Sequence, residues 1–184
     1  MKLSTVLDAV AFRTTRRYNV VHIRSLAPNY YDTDTRLLHS MMDLLTDYVE
    51  VELAYNELLF QKNKLTLRQK IHTMLPYILK PLVSIRSREL GLAHLDWEIN
   101  LQDDLVPDQS RIASDVKALY LWWQDERPAR KSPDAEIEKL LDANITKEEE
   151  ERLLKESFEL EKKYYDEDTE KLKLLIDIRG YLWT

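Results

Sequence analysis

The longest uninterrupted apolar pattern in the chain runs over residues 34–60 and predicts one long helix. Asp32, Thr33, Asp34 and Thr35 open it with side chains that accept hydrogen bonds from free backbone N–H groups. Leu37, Leu38, Met41, Leu44, Leu45, Tyr48, Val49, Val51, Leu53, Leu58 and Leu59 follow, with no Gly or Pro among them. On a uniform α-helix these positions cover about two thirds of the circumference, so neighbours are expected on several sides. Glu52 falls near the middle of that arc, where a carboxylate needs a partner such as an arginine, or a raised pKa. The remaining wedge holds His39, Asp43, Thr46, Asp47, Glu50 and Glu57.

The rest of the chain is organised around that stretch. Leu3, Val6, Leu7 and Val10 recur at helical spacing and predict a helix over 2–18. Val20, Val21, Ile23 and Leu26 alternate imperfectly with polar residues, which predicts a short extended segment ending before Pro28. Thr66 can cap a helix running to Ile78, with kinks or breaks at Pro76 and Pro81. Further helices are expected over 82–101 and 110–127. In the second of these, adjacent tryptophans would point about 100° apart, which places Trp123 in the core and Trp122 at its rim. A short helix is expected over 135–143. Thr146 and Glu149 form a capping box before a helix over 147–165. Asp166, Glu167 and Asp168 are read as an interruption, followed by a last helix over 169–182 and a Trp183 that should dock on its own core or on a partner. The fold class is therefore all-α: a bundle of five to seven helices around 34–60, with a short extended N-terminal segment. The organisation is a helical core over 1–127, a linker over 128–133 marked by Pro128 and Pro133, and an acidic helical region over 134–184 packed on the core or on a partner.

Composition narrows the function classes. With two glycines in 184 residues there is no phosphate-cradling loop and no dinucleotide fingerprint. The absence of cysteine excludes disulfides, thiolate metal sites and a thiol nucleophile. No apolar run reaches the roughly 18 residues of a membrane span, and residues 1–11 do not read as a signal peptide. No G-x-S-x-G elbow is present, which speaks against a serine hydrolase.

The net charge of −6 is unevenly spread: residues 134–184 carry −7 and everything before them +1. No acid occurs between Ala9 and Tyr31, where Arg13, Arg16, Arg17, His22 and Arg24 stand among Phe12, Tyr18, Tyr30 and Tyr31. Arginine forks suit phosphate and aromatic faces suit bases, so Arg13, Arg16, Arg17, His22, Arg24, Tyr30 and Tyr31 form the first candidate ligand-binding set, with Arg86 and Arg88 as second choices. The competing reading pairs these arginines with the acidic C-terminal third. With a pI near 5.3 and no nucleic-acid motif, duplex DNA is not the expected ligand. The second candidate is the stripe His39, Asp43, Asp47 and Glu50, which could hold a divalent metal against a second helix. It lacks the Glu-x-x-His and His-Glu-x-x-His spacings of known helical metal sites, and the plainer reading is a hydrated, salt-bridged face. No cofactor is expected.

Several segments carry a family likeness. They are Tyr30-Tyr31-Asp32-Thr33-Asp34-Thr35-Arg36-Leu37-Leu38-His39, Asp47-Tyr48-Val49-Glu50-Val51-Glu52, Arg86-Ser87-Arg88-Glu89, Gly91-Leu92 and Leu95-Asp96-Trp97-Glu98. They continue with Leu119-Tyr120-Leu121-Trp122-Trp123, Arg127-Pro128, Glu167-Asp168-Thr169-Glu170 and Leu182-Trp183-Thr184. In these the chain resembles a group of proteins of unknown function encoded by tailed bacteriophages, although it is shorter after Arg127-Pro128 than that pattern. The resemblance spans most of the chain and transfers no functional residue. It implies a phage gene product in the bacterial host cytoplasm, acting on host machinery. With the residue patterns, it leads to an expected function: a non-catalytic accessory or anti-defence protein that sequesters a host factor or a phosphorylated small molecule such as a nucleotide signal. The alternatives are an all-α metal-dependent nucleotide hydrolase using His39, Asp43, Asp47 and Glu50, and a virion or assembly component. A homo-oligomer is expected.

Overall fold

The computed structural model describes residues 23–60, 86–101, 108–133, 135 and 146–182. The helices expected over 2–18 and after Thr66, most of that over 135–143, residues Arg13, Arg16, Arg17 and His22, and Trp183 lie outside the described residues. All regular structure among the described residues is helical, in keeping with the all-α class. The extended segment expected up to Leu26 forms no strand in its described part. The chain divides into two compact units, Met1–Leu44 and Leu45–Thr184.

In the first unit, helix α1 (Thr33–Asp47) begins where the sequence places it. Asp32 accepts from Thr35 N at 2.7 Å and from Thr35 Oγ1 at 2.9 Å. These bonds favour the ionised carboxylate and hold Asp32 below its usual pKa, the backbone bond first. The irregular segment before α1 is fastened to Asp43, whose Oδ2 accepts from Arg24 N at 2.6 Å and Ser25 N at 3.1 Å. Ser25 Oγ lies 2.8 Å from His39 Nδ1.

Beyond Asp47 the helix does not continue as an α-helix. Tyr48–Leu53 is π-helical, and α2 (Ala54–Phe60) resumes the regular winding. The inserted residue explains the apolar arc that looked two thirds wide. Leu45, Val49, Leu53, Ala54 and Leu58 are all buried. On a uniform α-helix Ala54 and Leu58 would lie on the far side from Leu45. The slower i→i+5 winding returns them to the same stripe. The long helix thus has one buried stripe with a jog in it, and Leu59 stays exposed. The same jog moves Glu52 out of the apolar arc to an exposed position, which corrects the expectation that it is buried.

Helix α3 (Arg88–Ile99) packs against the π segment, α2 and helix α4 (Gln109–Leu121). Ser87 is its N-cap, with Oγ accepting from Leu90 N at 3.2 Å. Helix α4 runs into a second π segment, Trp122–Glu126. Both tryptophans are buried there, 1% and 6% exposed, with ring centroids 6.1 Å apart. The rim position expected for Trp122 is corrected: its indole N–H donates to Glu167, and Arg130 and Lys171 lie over its ring, so distant residues cover the side that faces away from Trp123.

Helix α5 (Lys147–Ile178) is continuous over 32 residues. The break expected at Asp166–Asp168 does not occur: Asp166 faces solvent, and Glu167 and Asp168 receive donors from the side. Glu167 accepts from Trp122 Nε1 at 2.7 Å. Asp168 takes Arg127 Nη2 at 2.9 Å and Arg130 Nη1 at 2.6 Å. Arg130 lies over the rings of Tyr164 and Trp122, at 4.7 and 5.2 Å from their centroids. Arg130 Nη2 is 2.9 Å from Glu167 Oε2 but at an angle that makes no hydrogen bond. Thr146 occupies the N-cap with extended backbone, but its side chain makes no capping bond, so only the position of the capping box is realised.

Candidate functional site

The second unit is built around the first π segment. Glu50 O, at its centre, accepts from Ser87 N at 2.9 Å, so the segment docks the start of α3. One turn on, Gly91 faces Val49. A Cβ at Gly91 would overlap the Val49 carbonyl oxygen and lie 2.8 Å from its carbon and 2.9 Å from Val49 Cγ1. Only glycine allows this approach, and its hydrogen takes the place of the side chain against the carbonyl.

Charged groups join the two π segments on one side. Glu50 accepts from Arg86 Nε and from the Tyr120 hydroxyl, the latter at 2.7 Å. Arg86 Nη2 also reaches Asp47 at 2.9 Å. Burial works against the Arg86 charge, but the bond to Glu50 and the charges of Glu50 and Asp47 outweigh it and hold its pKa above the usual value. Arg88 makes a two-pronged pair with Asp125, one prong at 2.9 Å, and lies over the Tyr120 ring. That pairing keeps Asp125 on the low side. Burial, then the bond to Glu50, pushes the Tyr120 hydroxyl up. Gln124 Nε2 donates to Thr46 Oγ1 at 3.1 Å.

On the other side of α3 lies a cleft of about 240 Å³. Leu95, Ile112, Ala113 and Val116 floor it, and Tyr48, Glu98, Gln109 and Tyr181 rim it. Gln109 Nε2 donates to Glu98 Oε1 at 3.2 Å, and the same oxygen is 3.9 Å from His94 Nε2. His94 is buried, with Nδ1 3.3 Å from Glu57 Oε2. Phe60 stacks on its ring at 5.8 Å and 19°, and Trp97 leans against it at 5.3 Å. Phe60 and Trp97 are 67% and 46% exposed, so they form an aromatic platform whose outer faces meet solvent. Burial, then the nearby carboxylates of Glu98 and Glu52, pushes the Tyr48 hydroxyl up to about 12. Partial desolvation, then Asp47, raises Glu52 as well. The cleft is thus apolar below and negative at the rim, with no lysine or arginine among the described residues that line it.

The sequence-based candidates distribute differently. Of the first set, Arg24, Tyr30 and Tyr31 are described. Tyr30 is 90% exposed, and Arg24 contributes its backbone N–H to Asp43. Arg86 and Arg88 are engaged by Glu50, Asp47 and Asp125. In the His39, Asp43, Asp47 and Glu50 stripe, Asp43 holds backbone N–H groups while Asp47 and Glu50 hold Arg86. Among the described residues no three His, Asp or Glu side chains converge to hold a metal ion. Sequence reasoning missed the cleft and the platform. The pair His94 and Glu98 on one helical face, with Trp97 beside it, was the available signal.

No family model, curated protein or solved structure matches the chain. Its class is that of an all-α protein whose α3 packs against the first π segment, α2 and α4, and no helix among the described residues is long and apolar enough to cross a membrane.

Proposed function

We propose that this chain is a non-catalytic binding protein that sequesters a host protein, as an accessory or anti-defence factor of a tailed bacteriophage acting in the host cytoplasm. The observation that carries the reading is the join of an exposed aromatic platform, Phe60 and Trp97, to the cleft rimmed by Glu98 and Tyr48. Half-exposed aromatic rings beside a small apolar recess are the usual anchors of a protein interface. The cleft is below the roughly 300 Å³ at which drug-sized ligands are accommodated, and it suits one inserted side chain. A lysine or arginine side chain fits its chemistry, with the stem on Leu95 and Val116 and the cation at Glu98 and the tyrosines. The ion pairs of Arg86 and Arg88 favour this reading over a phosphate clamp at those two residues, since each guanidinium already has its carboxylate.

The test is native mass spectrometry of the chain purified from bacteria, before and after denaturation. A host protein retained by the wild type and lost from the Phe60→Ala/Trp97→Ala variant, with helicity unchanged, is the expected result. Equal retention by the variant removes the platform from the interface. Release of a nucleotide-sized molecule instead would move the site to the basic segment around Arg24.

A further inference from the structure

A separate surface lies on the outer face of α5. Leu154, Phe158 and Tyr165 are spaced by four and seven residues, which puts them on one stripe of the helix. They are 38%, 65% and 59% exposed. Ser157, Leu175 and Ile178 are buried and lie together on one flank of that stripe, which marks the inward side of the helix. Glu151, Leu154, Lys155, Phe158, Glu159 and Lys162 line an open groove along the outer face. Exposed apolar side chains at this spacing are what a pairing helix buries.

We propose that this face binds a second copy of the chain, with the two α5 helices antiparallel. The charges select the occupant and its direction. Glu151 and Lys162 lie on the same flank of the Leu154–Phe158 stripe, 11 residues and roughly 16 Å apart along the axis. About a two-fold axis near residues 156 and 157, Glu151 of each chain falls beside Lys162 of the other, so the pair is made twice. A parallel arrangement keeps Glu151 and Lys162 roughly 16 Å apart along the axis and makes neither pair. The stem of Lys155 then lies over Phe158 of the other copy, covering the most exposed ring of the stripe. The surface is independent of the cleft and of the reading built on it.

The test uses the full chain, which contains no cysteine and so accepts reporter cysteines cleanly. Sedimentation velocity over a concentration series is expected to show a monomer–dimer equilibrium. Phe158→Glu should weaken it at least tenfold without loss of helicity. Glu151→Lys alone and Lys162→Glu alone should each weaken it, and the double exchange should restore it. Glu151→Cys and Lys162→Cys chains, mixed and oxidised, should give a disulfide heterodimer that neither gives alone. A strictly monomeric wild type, a dimer indifferent to Phe158→Glu, or cross-linking of Glu151→Cys to itself each overturns the proposal. Trp97→Ala should leave the equilibrium unchanged.

Discussion

The two π segments solve the same problem by opposite means. Each adds a residue to a helix and must satisfy the backbone and side chains that the irregularity displaces. Tyr48–Leu53 is closed by fit: Gly91 lets α3 approach until its backbone meets the Val49 carbonyl, and Ser87 N caps Glu50 O. Trp122–Glu126 is closed by charge: Arg127 and Arg130 bind Asp168, Glu167 takes the Trp122 N–H, and the guanidinium groups lie over the aromatic rings. The first joint has no slack and the second has redundancy. A joint made by fit fails on addition of one carbon. A joint made by several charge pairs loses strength stepwise.

The sharpest way to break this contrast is Gly91→Ala. Overpacking typically costs about 1–3 kcal/mol, and here the obstructing atoms are backbone, so a loss at or above about 3 kcal/mol is expected from urea unfolding. A loss below about 1 kcal/mol would show that α3 can slide and that fit does not govern the first joint. Next in size is Asp168→Ala, which strands Arg127 and Arg130. Their remaining contacts with Glu167 and the rings limit the loss to about 1–3 kcal/mol, below the cost of breaking a fully buried pair. The loss should shrink in 1 M salt, which screens charges over about 3 Å. The Gly91→Ala loss should not change with salt. Equal salt response in the two variants would erase the distinction.

The smallest effect concerns alkaline pH. Tyr48 sits in the first joint with its folded pKa raised to about 12 from 10.0, burial first and the carboxylates second. Its contribution is fully present below pH 10, where both states are protonated. It is lost as pH rises from about 10 towards 12, because the unfolded chain ionises first. After allowance for solvent access the loss is on the order of 1–2 kcal/mol. Unfolding measured at pH 9 and pH 11.5 should show a steeper decline in the wild type than in Tyr48→Phe. Matching declines would place the alkaline sensitivity elsewhere.

These joints also show what was legible in the residues. The helical class, the start of α1 at Asp32, the face of α4 carrying Ile112, Val116 and Leu119, and the opening of α5 at Thr146 followed from local patterns. What escaped was set by winding and by distant partners. Regular α-helical periodicity misplaced Glu52 because it assumes constant rotation per residue, and Trp122 because its cover comes from Arg130, Glu167 and Lys171. The acids at Asp166–Asp168 read as a break because their partners, Arg127 and Arg130, lie roughly forty residues earlier. The cleft was hidden for a similar reason: Tyr48, Glu98, Gln109 and Tyr181 come from four separate stretches. Arg86 and Arg88 were recognisable as an unusual pair, but nothing local says that Glu50 and Asp125 receive them.

The jog at Tyr48–Leu53 has a consequence for how this chain is to be matched with others. A relative with plain α-helical winding there would have one residue fewer between Leu45 and Leu58, with the same side chains turned inward. Placing the two sequences in register therefore requires a gap inside a helix, where gaps are ordinarily forbidden. Without it, Ala54, Leu58 and Phe60 would each be set against the wrong neighbour, and a true kinship in the most informative stretch would read as chance.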